Sequence, residues 1–422
     1  MDSFLLRDLL LLKKEKKIYS FSLILISLLP LILLLSSSLA NISVVILCLF
    51  FVFLTIQEKN LFFFKDPFFI FLLIFFFYIL VNLFFSTDFE VSLSRSIGFI
   101  RFVLFPFAIA FFLKKNDFKY IKLILQSWTV IFLLISVDLI FEIIFGYNMF
   151  GMNNAFPGRL SSILGDELKI GHYYYGFCFI SLSLIILTFK KNSLSIIGML
   201  TFITISLMIG ERANFIKLFL GTILFIFFWN NFKLKFKILL LLTIVITSLS
   251  LINLNKDLNS RFKGQFITYL TNNGLTGYYY NSQYGAHYGA AIKIFKNYPI
   301  MGTGLRTFYN ECNKDIYSDE KFLSNDSKCT THPHQLHLEI LSQLGIIGYL
   351  IFLTFILYFL IRGFFNYQKY KNLLHLSALI FIFTTIFLPL PSGSFFTTYG
   401  AIIFWTNVGL VLAFEKKKIS FF

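Results

Sequence analysis

Long runs of apolar residues, separated by short polar segments, repeat along almost the whole chain. A membrane-spanning helix needs about 20 mostly apolar residues at a rise of about 1.5 Å each. Some runs barely reach this length. They lie near residues 18–39, 42–56, 67–85, 97–113, 121–145, 171–189, 194–209, 214–229, 236–253, 340–361, 373–390 and 397–414. The pattern therefore predicts an all-α, polytopic membrane protein with about twelve transmembrane helices.

Composition supports a membrane protein. The 422 residues are 57% hydrophobic and only 14% charged, outside the range of soluble globular domains. The formal net charge of +16 raises the question of nucleic acid. However, the basic residues form short clusters between apolar runs, without a long basic stripe or a recognisable binding module. We interpret them as topology signals, with no nucleic acid as partner.

The distribution of Lys and Arg predicts which way the helices face. With a cytoplasmic N-terminus, the cytoplasmic segments hold 22 of these residues, including the clusters Lys13-Lys14-Glu15-Lys16-Lys17 and Lys416-Lys417-Lys418. The short loops on the opposite side hold four, at Arg95, Arg159, Lys169 and Arg212. Short cytoplasmic loops carry the excess of positive charge. Both termini are therefore expected in the cytoplasm.

This topology places one long connection, residues 254–339, and a shorter one, residues 146–170, on the outer side. The chain divides into an N-terminal bundle at 1–253 with about nine spans, the long periplasmic loop, and about three spans at 340–422. Cys312 and Cys329 both fall in that loop, where an oxidising periplasm favours a disulfide worth roughly 3 kcal/mol in the chain-entropy model. Two unpaired thiols are the alternative.

Three histidines, His332, His334 and His337, precede the tenth span. Pro333 suits the first turn of a helix, so His334 and His337 are expected on one helix face, pointing into an outer cavity. Imidazole serves as a base, as a metal ligand or as an interfacial group. His332, His334 and Glu339 could supply three metal ligands, although no zinc motif is present.

Other polar groups lie at or within the apolar runs. In Gly210-Glu211-Arg212-Ala213-Asn214, the guanidinium suits phosphate oxygens, and the alternative is a local ion pair with Glu211. The segment from Tyr298 to Arg306 contains a Gly-x-Gly, more often a turn than a phosphate cradle. Asp138 and Glu142, one turn apart in a span, could form a proton relay or pair with a buried arginine such as Arg101.

In this order, the motifs resemble the O-antigen ligase and polymerase superfamily of bacterial inner-membrane glycosyltransferases. Its histidine helix followed by Glu/Gln-x-Gly-x-x-Gly is similar to His334-Gln335-Leu336-His337-Leu338-Glu339 running into Gln343-Leu344-Gly345-Ile346-Ile347-Gly348. Gly-Glu-Arg at 210–212, Pro299 to Phe308 and Arg159-Leu160-Ser161-Ser162 are similar to its other elements.

The resemblance implies a GT-C-like membrane fold and a metal-independent, cofactor-free, inverting transfer. A glycan would move from an undecaprenyl-pyrophosphate carrier to an acceptor sugar, such as lipid A-core, on the periplasmic face of the inner membrane. His334 would be the general base and Arg212 a phosphate contact. The family's second arginine is missing from its usual place, where His287 stands. The substrate-binding candidates are Arg306, His287, Arg159, Arg261, His332, His337 and Gln335.

Rival functions remain open at this point. An O-antigen polymerase joins repeat units on the same carrier with similar motifs, and the histidine helix with its large loop favours the ligase. A transporter or flippase fits the number of spans and the two carboxylates in one of them. A purely structural membrane protein would tolerate loss of His334 and Arg212.

Overall fold

The computed structural model describes residues 17–115, 120–153, 156–165, 167–229 and 232–415, and these are largely helical. Residues 13–16 of the first basic cluster and all of 416–418 lie outside the described residues. The α-helices are α1 Lys17–Leu35, α2 Ser37–Gln57, α3 Pro67–Leu83, α4 Phe89–Gly98, α5 Ile100–Lys114, α6 Ile121–Phe145, α7 Ile170–Phe189, α8 Asn192–Met208, α9 Arg212–Phe228, α10 Leu234–Leu254, α11 Lys256–Leu258, α12 Tyr269–Asn281, α13 Gln283–Asn297, α14 Phe308–Cys312, α15 Leu336–Tyr370, α16 Leu373–Phe387 and α17 Thr398–Phe414.

Each of the twelve apolar runs forms a helix, but their lengths differ from the prediction. Seven helical stretches in the described part of the chain are long and apolar enough to cross a membrane: α1, α2, the continuous α4–α5, α6, α7, α10 and α15. The helices α3, α8, α16 and α17 are apolar but shorter. The structure thus confirms an all-helical protein with several candidate spans, while the number of twelve stays a prediction.

Local sequence explains where several helices begin and end. Asp66 caps α3 by accepting from Phe68 N at 2.9 Å, and Pro67 occupies the first helical position. Asn372 caps α16 in the same manner. Gly146 ends α6 in the left-handed conformation. α15 begins at Leu336, four residues before the predicted span, and is kinked at Gly345.

The helical core centres on α17, which is buried along its whole length and packs against α5, α16 and α7. Trp405 is fully buried there and contacts the rings of Phe99, Phe395 and Phe404. Burial of such large aromatic side chains is a main source of packing energy. α17 therefore fixes the helices around it, including those that carry the polar groups described below.

The two ends of the bundle differ in how their charges are arranged. At one end Arg362 forms two hydrogen bonds to Asp66, at 2.6 and 2.8 Å, and a third to Glu415 at 2.6 Å. This ion-paired end joins α3, α15 and the residue after α17. The loops 84–88, 146–169, 209–211, 255–335 and 388–397 connect helices at the opposite end, which we name the site end.

The long connection from residue 255 to residue 335 is itself largely helical. It contains α11 to α14 and a π-helical segment, Asn259–Thr268. A small core of its own includes Ile294, Phe308 and Tyr317. Cys312 and Cys329 form a disulfide, with their Cα atoms 5.4 Å apart. The connection is therefore a folded layer on the site end.

Candidate active site

Contacts between distant loops bring the sequence motifs together at the site end. Leu160 N donates to Ile209 O at 3.2 Å, and Arg261 Nε donates to Gly210 O at 3.0 Å. Ser392 N donates to His334 O at 2.8 Å. Segments about 50 to 60 residues apart thus meet at this end of the bundle.

Three arginines, Arg159, Arg212 and Arg261, form an arginine cluster. Arg212 donates from Nη1 to Arg261 O at 3.1 Å. Burial, followed by repulsion from Arg159 and Arg212, lowers the pKa of Arg261 to about 10, which still leaves it charged at neutral pH. Among the described residues, no carboxylate forms an ion pair with any of the three. Like charges held together in this way favour an anionic ligand.

Gly210 explains how the chain brings these arginines together. Its φ is +76°, and an added Cβ would lie 2.1 Å from Gly158 O. Only glycine allows this approach between the loop that carries Arg159 and the turn that carries Arg212. Arg212 is also the first residue of α9, and a helix N-terminus attracts negative charge.

Glu211 does not form the local ion pair with Arg212 that the sequence left open as an alternative. Its carboxylate accepts hydrogen bonds from Gly171 N at 3.2 Å and from Asn214 Nδ2 at 2.5 Å. Glu211 therefore ties the turn to α7 and α9, and the Arg212 guanidinium remains directed to the arginine cluster.

Asp138 and Glu142 on α6 hold the loop that carries Arg159. Asp138 accepts from Met149 N at 2.8 Å and from Ser162 Oγ at 2.5 Å. Glu142 accepts from Ser161 N at 3.1 Å and from Ser162 N at 2.8 Å. Neither pairs with Arg101, whose Nη1 donates to Gly98 O. The two carboxylates thus stabilise a loop, a role that the sequence did not indicate.

A histidine cluster lies at the same end of the bundle and is linked to these arginines through Tyr284. The ring centroid of His334 is 4.2 Å from that of His332 and 5.4 Å from that of His287. His287 on α13 is held by a contact of its Nδ1 with Lys328 O at 3.1 Å. His334 has φ of +53°, a left-handed conformation that is costly for a residue with a side chain. The bond from Ser392 N to its carbonyl helps to maintain that conformation.

The imidazoles of the histidine cluster are neutral at neutral pH. Burial and the neighbouring His287 lower the pKa of His334 to about 4. Burial and His334 lower the pKa of His332 to about 3, and burial lowers that of His287. Removing water from an imidazole disfavours its charged form. A neutral ring can accept a proton, as a general base must.

Tyr284 on α13 joins the two clusters. Its ring centroid is 5.9 Å from that of His334, and its hydroxyl is close enough to Arg261 to interact with that charge. Nothing in the sequence singled out Tyr284, because it is one of 21 tyrosines. The arrangement combines a cationic surface with a neutral base about one side chain away.

The prediction that His334 and His337 lie on one helix face is wrong. Helix α15 begins only at Leu336, with Gln335 as its N-cap, whose side chain accepts from Leu338 N at 2.7 Å. His337 is turned away, since its Nε2 lies 2.8 Å from Ile386 O and its Nδ1 lies 3.2 Å from Tyr349 Oη. Both residues therefore have protein partners of their own. Pro333 precedes the helix and is not part of its first turn.

The metal-site alternative finds no matching geometry. Glu339, the third ligand that the sequence offered, is buried and accepts hydrogen bonds from Ser394 Oγ and Phe395 N. Within the part of the chain that the structure describes, no three His, Cys, Asp or Glu side chains are arranged to hold a metal ion.

Arg306 lies apart from the arginine cluster. Its backbone N–H donates to Gln343 Oε1 at 2.8 Å, and its charge is close to that of Arg95 on α4. The sequence counted Arg95 only as a topology signal. Its neighbour in space, Arg306, follows the Gly-x-Gly, and the two residues are more than 200 positions apart.

Comparison with known proteins agrees with the motifs. No curated protein matches the chain. Residues 197–353 match the family model described as O-antigen ligase, and this stretch includes Arg212, Arg261, His287 and His334. The match over residues 197–353 confirms the resemblance of this part of the chain to the O-antigen ligase and polymerase superfamily.

Proposed function

We propose that the protein is an O-antigen ligase-like glycosyltransferase that moves a glycan from undecaprenyl pyrophosphate to an acceptor sugar such as lipid A-core. The reaction takes place on the periplasmic face of the inner membrane. The observation that carries the proposal is the arginine cluster, which forms no ion pair with a carboxylate among the described residues and is linked through Tyr284 to the neutral His334.

The chemistry follows from these two groups. An acceptor hydroxyl oxygen attacks the anomeric carbon from the face opposite the pyrophosphate, and the configuration inverts. His334 takes the hydroxyl proton. The bond between the anomeric carbon and the pyrophosphate oxygen breaks, and its electron pair stays on the departing pyrophosphate. Arg212 and Arg261 stabilise the negative charge that develops there, with Arg159 at its side.

Two of the substrate-binding candidates receive different roles. Gln335 caps α15, and His337 contacts Ile386 and Tyr349, so both support the position of His334. His332 and His287 pack against the His334 ring, which burial and the neighbouring His287 keep neutral. Arg261 is the best candidate for the second phosphate contact, because it lies against Arg212.

Asp138 and Glu142, the carboxylates that suggested a transporter, have a structural role that needs no transport. Asp138 and Glu142 each accept two hydrogen bonds from the loop of residues 149–162. A proton relay needs carboxylates that take up and release protons along a pathway. Asp138 and Glu142 instead accept hydrogen bonds that hold a loop in place.

Deletion of the gene in its own host tests the proposal and separates ligase from polymerase. A ligase deletion leaves lipid A-core without polymer and leaves the polymer on its lipid carrier. A polymerase deletion leaves lipid A-core carrying a single repeat unit. Gel analysis of lipopolysaccharide and of the lipid-linked fraction distinguishes these results, and unchanged glycans in both fractions would contradict the proposal.

A further inference from the structure

A second pair of arginines lies at the site end, away from the arginine cluster. Arg95 is on α4, and Ser92, one turn before it, donates from Oγ to Leu305 O at 2.8 Å. Arg306 follows Leu305 directly, so the two guanidinium groups are neighbours and their charges repel each other. No carboxylate in the described part of the chain forms an ion pair with either.

The backbone of Arg306 is held firmly although its side chain is exposed. Its φ is +68°, in the left-handed region that costs a non-glycine residue energy. Gln343 Oε1 accepts from Arg306 N at 2.8 Å, and Gln343 O accepts from Gly304 N at 2.8 Å. Strain of this kind is maintained only where the surrounding structure fixes it, and it concentrates at functional sites.

Gly304 shows what the glycine segment does. An added Cβ there would lie 2.1 Å from Ser86 Oγ and 2.6 Å from Ser92 Oγ. The segment is therefore wedged between α4 and α15, with its amides turned to protein groups. It does not cradle a phosphate itself, but it places the Arg306 guanidinium beside Arg95.

Glu339, the carboxylate whose charge acts on Arg95, is already engaged. Glu339 is buried and accepts from Ser394 Oγ and Phe395 N. Arg95 donates one hydrogen bond, from Nη1 to Phe396 O at 2.9 Å. A guanidinium has five N–H donors, so most of those on Arg95 remain for a ligand.

The loop of residues 388–397 sets the position of this pair relative to the proposed base. Lys217 on α9 donates to Pro391 O at 3.4 Å, Ser392 N binds His334 O, and Arg95 binds Phe396 O. The four steps from residue 392 to residue 396 span at most about 14 Å. His334, the helix that carries Arg212 and the arginine pair thus all contact this one loop.

We infer that Arg95 and Arg306 form a second anion subsite, which binds a phosphate group of the acceptor lipid. The inference rests on the proposed function, because it gives the donor pyrophosphate to the arginine cluster and the acceptor phosphate to a separate arginine pair on the same loop as His334. A fork of guanidinium donors suits phosphate oxygens, and two adjacent forks suit a phosphate better than an uncharged sugar.

Kinetics with two acceptors test the subsite. Purified protein in vesicles of phosphatidylcholine receives lipid-linked donor and either lipid A-core or lipid A-core treated with phosphatase. For Arg306→Gln, the KM for untreated acceptor rises about tenfold, as expected for one lost charge-assisted contact, whereas the KM for donor stays unchanged. The phosphatase-treated acceptor shows no difference between the variant and the unaltered protein.

Arg212→Gln provides the matched control, because it removes the same group from the arginine cluster and raises the KM for donor. Arg306→Lys, which keeps a charge, recovers part of the loss. The inference is overturned if Arg306→Gln raises the KM for donor as Arg212→Gln does. It is also overturned if Arg306→Gln changes the KM for both acceptors equally. Arg95→Gln repeats the test if Arg306→Gln fails to fold.

Direct binding separates this inference from the proposed function. Binding of untreated lipid A-core, treated lipid A-core and phosphatidylglycerol is measured without donor, by native mass spectrometry. We expect Arg306→Gln to weaken the binding of untreated acceptor only, even in a preparation that transfers no glycan. Equal weakening of phosphatidylglycerol would identify a general lipid headgroup site and would contradict the assignment to the acceptor.

Discussion

Among single residues, His334 shows how the fold changes the chemistry of a side chain. A free imidazole titrates near pH 6.5, yet burial beside His287 lowers the pKa of His334 to about 4. The sequence motif identified this residue, since its position before a late apolar run was visible. Its left-handed backbone, its partner His287 and the contact with Ser392 depend on segments far away in the chain, so the sequence could not predict them.

The lowered pKa of His334 predicts an unusual pH profile. The base must be neutral, and a group with a lowered pKa keeps its neutral form at lower pH. We expect kcat/KM for the donor to stay level from neutral pH to about 5 and to fall only near pH 4. His287 and His332, which face the ring, have lowered pKa values as well.

Initial rates at low donor concentration, measured between pH 4 and pH 8 at constant ionic strength, give this profile. Incubation at each pH followed by assay at pH 7 controls for irreversible inactivation. Half-loss of kcat/KM near pH 6.5 would mean that an ordinary, solvated imidazole is the base.

Between residues and the whole molecule, short segments decide where the polar groups meet. From the sequence, the Gly-x-Gly is expected to form a turn rather than a phosphate cradle. The structure places it between α4 and α15. The sequence likewise marked Asp138 and Glu142 as costly, without showing that they bind a loop twenty residues onward. Such roles depend on which loops meet, which hydrophobic periodicity does not encode.

Gly304 tests whether the glycine segment must be wedged in place. Alanine at this position meets Ser86 and Ser92, and its φ of +97° is unfavourable for any L residue with a side chain. We expect Gly304→Ala to destabilise the protein by about 1–3 kcal/mol and to lower its melting temperature in detergent.

Gly264→Ala is the matched control. Gly264 lies in the π-helical segment, has no positive φ, and the nearest atom to an added Cβ is 4.0 Å away. Its melting temperature should match that of the unaltered protein. Equal melting temperatures for Gly304→Ala and Gly264→Ala would show that the contacts with Ser86 and Ser92 relax without cost.

For the molecule as a whole, the two ends of the helical bundle divide stability from chemistry. At the ion-paired end Arg362 pairs with two carboxylates, while five arginines at the site end have no carboxylate ion pair among the described residues. Hydrophobic patterning located the twelve helical segments well, because each apolar run encodes its own helix. It did not reveal that the connection from 255 to 335 folds into a helical layer, whose amphipathic segments are short.

Arg362 tests this division. Removing it leaves Asp66 and Glu415, both largely enclosed, without their ion-pair partner, which costs about 3 kcal/mol for a buried pair. Arg362→Ala should therefore lower the melting temperature while the KM values for donor and acceptor, measured well below that temperature, stay unchanged. A normal melting temperature with an altered donor KM would contradict the division of roles.

The central claim, that His334 removes the acceptor proton, is tested most directly by single-turnover transfer from lipid-linked donor to lipid A-core. We compare His334→Gln with His337→Gln, because both remove an imidazole from the same motif and only His337 has protein partners for both ring nitrogens. We predict that His334→Gln slows transfer by about 10²–10⁴-fold while donor binding persists, and that His337→Gln stays within severalfold of the unaltered protein. Transfer by His334→Gln at the unaltered rate would contradict the account.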